Sequence, residues 1–196
     1  MKAVFASRNR HKLEQVVVLL PELDLVSVDS VAPELELSEP FDTFQANALA
    51  KAHAVADTTG LGAIADDSGL EVDALGGRPG VLSARYAGVG ATDADNNRKL
   101  VAELAGVPDT QRGCRYRCAA VFVAPDGTEV VATGTCEGTI ILEPRGHGGF
   151  GYDPHVVPEG QSRTMAEIPL EEKLSFSHRG RAFRLLAERL GTRRTT

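Results

Sequence analysis

The order of apolar and polar positions divides the chain into short, alternating elements. Lys2-Ala3-Val4-Phe5-Ala6 predicts a short strand, and Ser7 to Lys12 is polar. Leu13, Val16, Val17 and Leu20 then recur at i, i+3, i+4 and i+7, the stripe of an amphipathic helix that Pro21 ends. A second strand is predicted near Leu25-Val26-Ser27-Val28. A polar loop around Glu39 leads into a helix from about Phe44 to Ala56, with Thr43 as its N-cap. Ala63-Ile64-Ala65 predicts a short buried strand that ends in Asp66-Asp67-Ser68-Gly69, and Gly76 to Gly80 reads as a loop. Thr92 caps a helix carrying Leu100, Val101 and Leu104 that stops at Gly106. Tyr116 to Ala124 and Glu129 to Thr135 are rich in β-formers and flank Pro125-Asp126-Gly127, which predicts a long hairpin. Phe183, Leu186 and Leu190 mark a final helix face, and Gly191 to Thr196 reads as a frayed end. Strands and helices that alternate early, with a hairpin late, give an α/β fold on a mixed sheet flanked by helices. No repeat or long linker interrupts residues 1–196, so a single domain is expected.

Composition narrows the functional classes. With 42% hydrophobic and 24% charged residues over 196 positions, the chain has enough apolar surface for a sizeable core. No apolar run reaches the roughly 18 residues a membrane span needs. Arg8, Arg10 and Lys12 crowd the N-terminus too closely for a secretory h-region, so a cytoplasmic protein is expected. A net charge of -6 argues against a nucleic-acid binder, and 5% aromatic residues leave little for stacking on single strands. An anionic ligand must therefore be met by local cations or a metal ion. Cys114, Cys118 and Cys136 are odd in number and read as buried thiols rather than a disulfide framework or zinc site.

Candidate chemistry gathers at element boundaries. Ser7, Asn9 and Lys12 flank a helix start, where unpaired amides and the helix dipole favour an anion; a capped helix with solvated basic residues is the alternative. Asp66-Asp67 after a buried strand suits a hard cation such as Mg2+ or the activation of a water, against a plain turn. Glu39 lies in an acidic loop with Glu34, Glu36 and Asp42, and Lys51 is on the following helix; each by itself reads as solvated. Gly148-Gly149-Phe150-Gly151-Tyr152-Asp153-Pro154 brings backbone and aromatic rings to a planar ligand, or else packs its rings into the core. Lys173, His178 and Arg179 are donors suited to exocyclic oxygens, or else an ordinary helix start. Phosphate grip, metal carboxylates and a platform for a flat heterocycle together describe a nucleotide site.

In this order the motifs resemble the inosine triphosphate pyrophosphatase family, the bacterial dITP/XTP pyrophosphatases. The likeness runs through Ala6 to Lys12, Thr43-Phe44 to Ala52, Ala65-Asp66-Asp67-Ser68-Gly69-Leu70, Leu75 to Gly80 with Ser83-Ala84-Arg85-Tyr86, Gly149 to Pro154, Met165-Ala166-Glu167, Glu172-Lys173 and Ser177-His178-Arg179. The resemblance implies Mg2+-dependent hydrolysis of ITP, dITP or XTP to the monophosphate and pyrophosphate, cleansing the nucleotide pool. It assigns Ser7, Asn9, Lys12 and Lys51 to the phosphates, Asp67 to catalysis and metal, and Glu39 to the metal. Ser68, Phe150, Gly151, Tyr152, Asp153, Lys173, His178 and Arg179 fall to the base. It further implies an elongated mixed sheet with two lobes around a central cleft, and a homodimer, for which the hairpin and Gly76 to Tyr86 are candidate surfaces. Two departures stand out: Ala46 replaces the usual Glu before Asn47, and Glu39-Pro40-Phe41-Asp42-Thr43-Phe44 replaces a commoner Glu-Thr-Gly spacing. Competing readings are a pyrophosphatase of the same fold for other modified nucleotides, and a nucleotide-binding module without turnover.

Overall fold

A computed structural model describes residues 2–191; the predicted fraying of residues 192–196 lies outside them. The strands are β1 (Lys2–Phe5), β2 (Asp24–Ser27), β3 (Gly62–Val72), β4 (Gly113–Val123), β5 (Glu129–Ile140) and β6 (Val156–Pro158). The helices are α1 (Arg10–Leu19), α2 (Val28–Val31), α3 (Phe44–Thr59), α4 (Asp93–Leu104), α5 (Leu170–Phe176) and α6 (His178–Arg189). Among the described residues the strands form one mixed sheet in the order β2-β1-β3-β4-β5-β6. β1 runs parallel to β2 and β3, whereas β6 runs antiparallel to β5. This is the expected α/β class.

Local rules account for most boundaries. Thr43 caps α3 by accepting from the Ala46 amide, and Gly60 ends that helix in the left-handed region. Thr92 and Asp95 form a reciprocal capping box on α4. The turn between β4 and β5 is closed by hydrogen bonds from the Ala124 amide to the Thr128 carbonyl and from the Gly127 amide to the Ala124 carbonyl. All three cysteines are free and buried, as expected. Among the described residues no helix is long and apolar enough to cross a membrane.

β3 departs from expectation. The predicted strand stops at Asp66, yet the strand continues to Val72 straight through Asp66-Asp67-Ser68-Gly69. The apolar run ends at Ala65, which predicts a strand end, but a strand turns successive side chains to opposite faces and so can carry two adjacent carboxylates. Asp66 meets Arg179 and Lys12 while Asp67 meets the Asn47 amide, so the strand persists. The short elements α2, β6 and α5 were not anticipated either; at 4, 3 and 7 residues they are too brief to carry a periodic signature.

The chain divides into two compact units, one of Met1–Asp67, Cys118–Gly134 and Arg179–Thr196, the other of Ser68–Arg117 and Thr135–His178. The first has a core of Val4, Ala6, Val28, Ala48, Ala52, Val55, Ala63, Ala65, Val121 and Val123. The second has a core that includes Leu70, Val72, Leu100, Leu104, Tyr116, Ile140, Tyr152, Val156 and Met165. In the first unit, α3 presents a buried stripe of Asn47, Ala48, Lys51, Ala52, Val55 and Ala56. Its alanines let the helix sit close to the sheet, while Asn47 and Lys51, one turn apart, are carried inward with them.

Close packing at Ala52, which is fully buried, is directly testable. Ala52→Leu inserts volume against strands with no room to yield and should destabilise the protein by about 1–3 kcal/mol in urea unfolding. An unchanged midpoint would show that α3 is not seated tightly.

Candidate active site

The first unit holds a compact cluster of buried charges. Asp66 is fully buried on β3, and its Oδ2 accepts from Arg179 Nη2 at 3.0 Å and Nε at 3.3 Å. Lys12 Nζ lies 3.1 Å from the same oxygen. The third guanidinium nitrogen of Arg179, Nη1, donates to Gln15 Oε1 at 3.0 Å. Burial by itself pushes the Asp66 carboxyl up, but attraction from Lys12, Arg179 and Lys51 outweighs it and holds the group far below the usual carboxylate range. Asp66 is thus permanently ionised, a counter-ion inside the sheet. Cys118 Sγ also lies 3.9 Å from it, and burial lifts that thiol to about 12, so it remains protonated.

Asp67, on the opposite face of β3, has a different environment. It is 5% exposed, and Asn47 Nδ2 donates to its Oδ2 at 3.1 Å. Burial pushes its carboxyl up, the Glu39 carboxylate adds to that push, and Lys51 opposes it; the net result is a raised pKa. Two adjacent aspartates are therefore driven apart in proton affinity, one fixed as an anion and the other made more basic. That divergence is the usual sign of separate roles.

α3 supplies the groups around Asp67. Lys51, which read by itself as a surface residue, is only 4% exposed. Its Nζ donates to Glu39 Oε1 at 2.5 Å and to the Asp66 carbonyl at 2.8 Å. The Asn47 amide accepts from the Phe41 N–H at 2.8 Å and donates to the Phe41 carbonyl at 3.1 Å. Asn47 so ties the irregular Glu39–Thr43 segment to the catalytic candidate. Its place in the motif was visible in the sequence, but its bridging role was not. Ala46, which precedes it, is half-buried.

At the start of α1, Asn9 Oδ1 caps the helix by accepting from the Lys12 amide at 3.2 Å, and Ser7 Oγ accepts from the Asn9 amide at 3.2 Å. These bonds leave the Asn9 side-chain amide hydrogens and the Ser7 hydroxyl hydrogen as donors for an anion. Neighbouring Arg8 is engaged elsewhere, on Asp29 and on the carbonyls of Pro33 and Leu35.

Among the described residues no group of three or more His, Cys, Asp and Glu gathers as a metal cage. The donor set fits a different arrangement. Asp67 and Glu39 repel one another, and a hard divalent cation held by one or two carboxylates, with waters and ligand oxygens completing its shell, relieves that repulsion.

The second unit carries the glycine-aromatic segment and its partners. Asp153, 8% exposed, accepts from Lys173 Nζ at 2.9 Å, from the Tyr116 hydroxyl at 3.1 Å and from the Phe150 amide at 3.4 Å. Tyr152 is 4% exposed; its ring belongs to the core and its hydroxyl donates to the Ser83 carbonyl at 2.8 Å. Phe150 remains partly exposed as the aromatic face of the segment. Gly151 is gripped on both sides of its peptide: its N–H donates to Asp93 at 2.7 Å and its carbonyl accepts from Asn97 at 2.9 Å. Asp93 and Asn97 stand one turn apart on α4, a clamp that the sequence did not reveal. Gly149 has φ of +74°, and a Cβ there would lie 2.8 Å from Lys173 Nζ and collide with Asp153, so only glycine fits.

The predicted residues therefore fall into two sets. Ser7, Asn9, Lys12, Glu39, Lys51, Asp67 and Arg179 lie in the first unit; Ser68, Phe150, Gly151, Tyr152, Asp153, Lys173 and His178 lie in the second. Arg179, grouped with the base residues by resemblance, has its guanidinium on Asp66 and Gln15 in the first unit. His178 and Arg179 are adjacent in sequence, yet successive helix positions point about 100° apart.

The Asp66 cluster makes a stability prediction. Asp66→Asn leaves Arg179, 3% exposed, and Lys12 without their counter-charge. Breaking such a buried pair should lower the unfolding free energy by about 3–5 kcal/mol, measured by urea titration. A change near zero would mean that the cations find other partners.

Comparison with known proteins accords with this geometry. The Ham1 family model matches residues 3–189. A dITP/XTP pyrophosphatase of Streptomyces coelicolor is 47% identical over 189 residues, 94% of each chain. One of Mycobacterium tuberculosis is 50% identical over 190 residues, 94% of this chain and 93% of that protein. The solved HAM1 protein of Coxiella burnetii superposes with a TM-score of 0.89 at 37% identity, covering 98% of this chain and 100% of that one. The Staphylococcus aureus Ham1 protein gives 0.88 at 36% identity, covering 98% and 99%. Matched along nearly its whole length in both sequence and fold, the chain belongs to the Ham1 family.

Proposed function

We propose that this protein hydrolyses deaminated purine nucleoside triphosphates (dITP, ITP and XTP) to the monophosphate and pyrophosphate, and so keeps these bases out of DNA and RNA. The observation that carries the reading is Asp67: a buried carboxylate of raised basicity, held by Asn47 and flanked by Lys51 and Glu39. The dITP/XTP pyrophosphatases among its relatives support it. In this reading the protein is cytoplasmic and works as a homodimer.

Asp67 accepts the proton of a water that attacks the α-phosphorus, and pyrophosphate leaves. Phosphoryl transfer of this kind depends on positioning and charge neutralisation. Lys12 and Lys51, with the Ser7 and Asn9 donors at the α1 N-terminus, hold the triphosphate oxygens. Asn47 keeps Asp67 in one rotamer. Asp67 and Glu39 would hold Mg2+, which supplies Lewis-acid charge neutralisation at the phosphates. The Asp66 carboxylate keeps Lys12 and Arg179 extended toward their positions without itself taking part.

The base is read by hydrogen-bond complementarity. Hypoxanthine and xanthine carry an acceptor oxygen at C6, where adenine carries a donor. Lys173 and His178 donate to that oxygen, with Phe150 along the ring face and Asp153 as acceptor. A site built for an acceptor disfavours a donor by leaving its own buried groups unpaired.

A panel of nucleoside triphosphates, assayed for pyrophosphate against orthophosphate with and without chelator, tests the reading. Pyrophosphate release from ITP, dITP and XTP should exceed that from ATP by orders of magnitude, disappear with EDTA and return with Mg2+. Preference for dTTP or UTP would point to a pyrophosphatase for other nucleotides, and no turnover at all would indicate a binding module. Asp67→Asn should change the unfolding free energy by no more than about 1 kcal/mol, because it removes a charge that burial and Glu39 already disfavour. It should also reduce kcat by about 10²–10⁴-fold, the usual contribution of a positioned acid or base. Near-wild-type turnover by that variant would remove Asp67 from the mechanism.

A further inference from the structure

Tyr116 has a place in the second unit that no motif marks. It lies in β4, is 7% exposed, and makes two directed contacts. Its ring stacks on the His178 imidazole, with centroids 4.7 Å apart and planes 16° from parallel. Its hydroxyl donates to Asp153 Oδ1 at 3.1 Å, while Lys173 Nζ holds the other carboxylate oxygen at 2.9 Å. Phenylalanine would supply the same stacking and apolar area. A buried hydroxyl is unfavourable without an acceptor, and the acceptor here is Asp153. Burial and the adjacent carboxylate hold the phenol well above its ordinary pKa, so the group stays a donor.

We propose that Tyr116 is a positioning residue for base recognition: its hydroxyl fixes the Asp153 carboxylate and its ring fixes the plane of His178. A carboxylate offers about four acceptor positions. Tyr116, Lys173 and the Phe150 amide take three of them from different directions, which leaves the remaining one aimed along a single line. His178 opens α6, and the stacked tyrosine sets the plane of its ring. The two groups that meet the purine are thereby oriented before it binds, and the cost of ordering them is not charged against affinity. This inference rests on the reading that Asp153, Lys173 and His178 meet the base.

Steady-state kinetics of Tyr116→Phe, Tyr116→Leu and Asp153→Asn with ITP and ATP test it. Tyr116→Phe should raise KM for ITP about tenfold, the effect of losing one hydrogen bond to a charged group, with kcat unchanged within about twofold. The ITP-over-ATP ratio of kcat/KM should fall by a similar factor. A merely structural tyrosine would instead affect both nucleotides alike. Proton NMR gives a second readout: the His178 ring signals should stay in place in Tyr116→Phe, which keeps the stack, and move downfield in Tyr116→Leu, which loses it. An unaltered ITP-over-ATP ratio in Tyr116→Phe, beside a lowered one in Asp153→Asn, would overturn the positioning role alone. An unaltered ratio in Asp153→Asn would overturn the assignment of the base residues, and the inference with it. Should Tyr116→Leu fail to fold, the Tyr116→Phe kinetics decide the matter.

Discussion

A carboxylate buried without solvent is tolerable only if positive charge surrounds it, and Asp66 imposes that requirement on its whole neighbourhood. Lys12 from α1, Arg179 from α6 and Lys51 from α3 all neutralise it, and Gln15 takes the guanidinium nitrogen that remains. Three helices are thus tied to one residue of a central strand. The arrangement also sets the charge of the cluster. A cation paired with an internal anion keeps its position in the absence of ligand, so the donors of this cluster are ordered rather than mobile.

The same constraint separates the two aspartates. Strand geometry sends Asp66 toward Lys12 and Arg179 and Asp67 toward α3. Asp66, overcompensated by cations, cannot take a proton near neutrality. Asp67, raised by burial and the Glu39 charge against the pull of Lys51, Lys12 and the Asn47 amide, is made more basic. Had β3 ended at Asp66, as the end of the apolar run suggested, nothing would force the two side chains to opposite faces. Strand continuity is what turns a pair of identical residues into a fixed counter-ion and a more basic carboxylate.

The second unit solves a different problem, the presentation of a glycine-rich segment as a rigid surface. Glycine grants the backbone angles that the turn requires at Gly149 and Gly151, but it also grants freedom. Asp93 and Asn97 at Gly151, Ser83 at Tyr152, and Tyr116 with Lys173 at Asp153 remove that freedom one residue at a time. The Tyr152 ring serves as an anchor in the core, which leaves Phe150 as the aromatic face.

The amino-acid order by itself determined what acts over a few residues. Thr43 and Thr92 as caps, the Phe183 and Leu186 face of α6, the turn at Pro125-Asp126-Gly127 and the α/β class all follow from periodicity and short-range hydrogen bonding. The predicted α1 stripe holds only at Val16 and Leu20, since Val17 is exposed and Gln15 and Leu19 are buried instead. The residue types of the two candidate sets were also legible, as cations, carboxylates and a glycine-aromatic segment at element boundaries. Packing decided the rest. That Arg179 faces Asp66, 113 positions away, that Asn47 joins Phe41 to Asp67, and that Tyr116 lies between His178 and Asp153 depend on contacts between distant stretches. Such pairings leave no periodic trace in the chain, since their energy exists only once the sheet has brought the partners within a few ångströms.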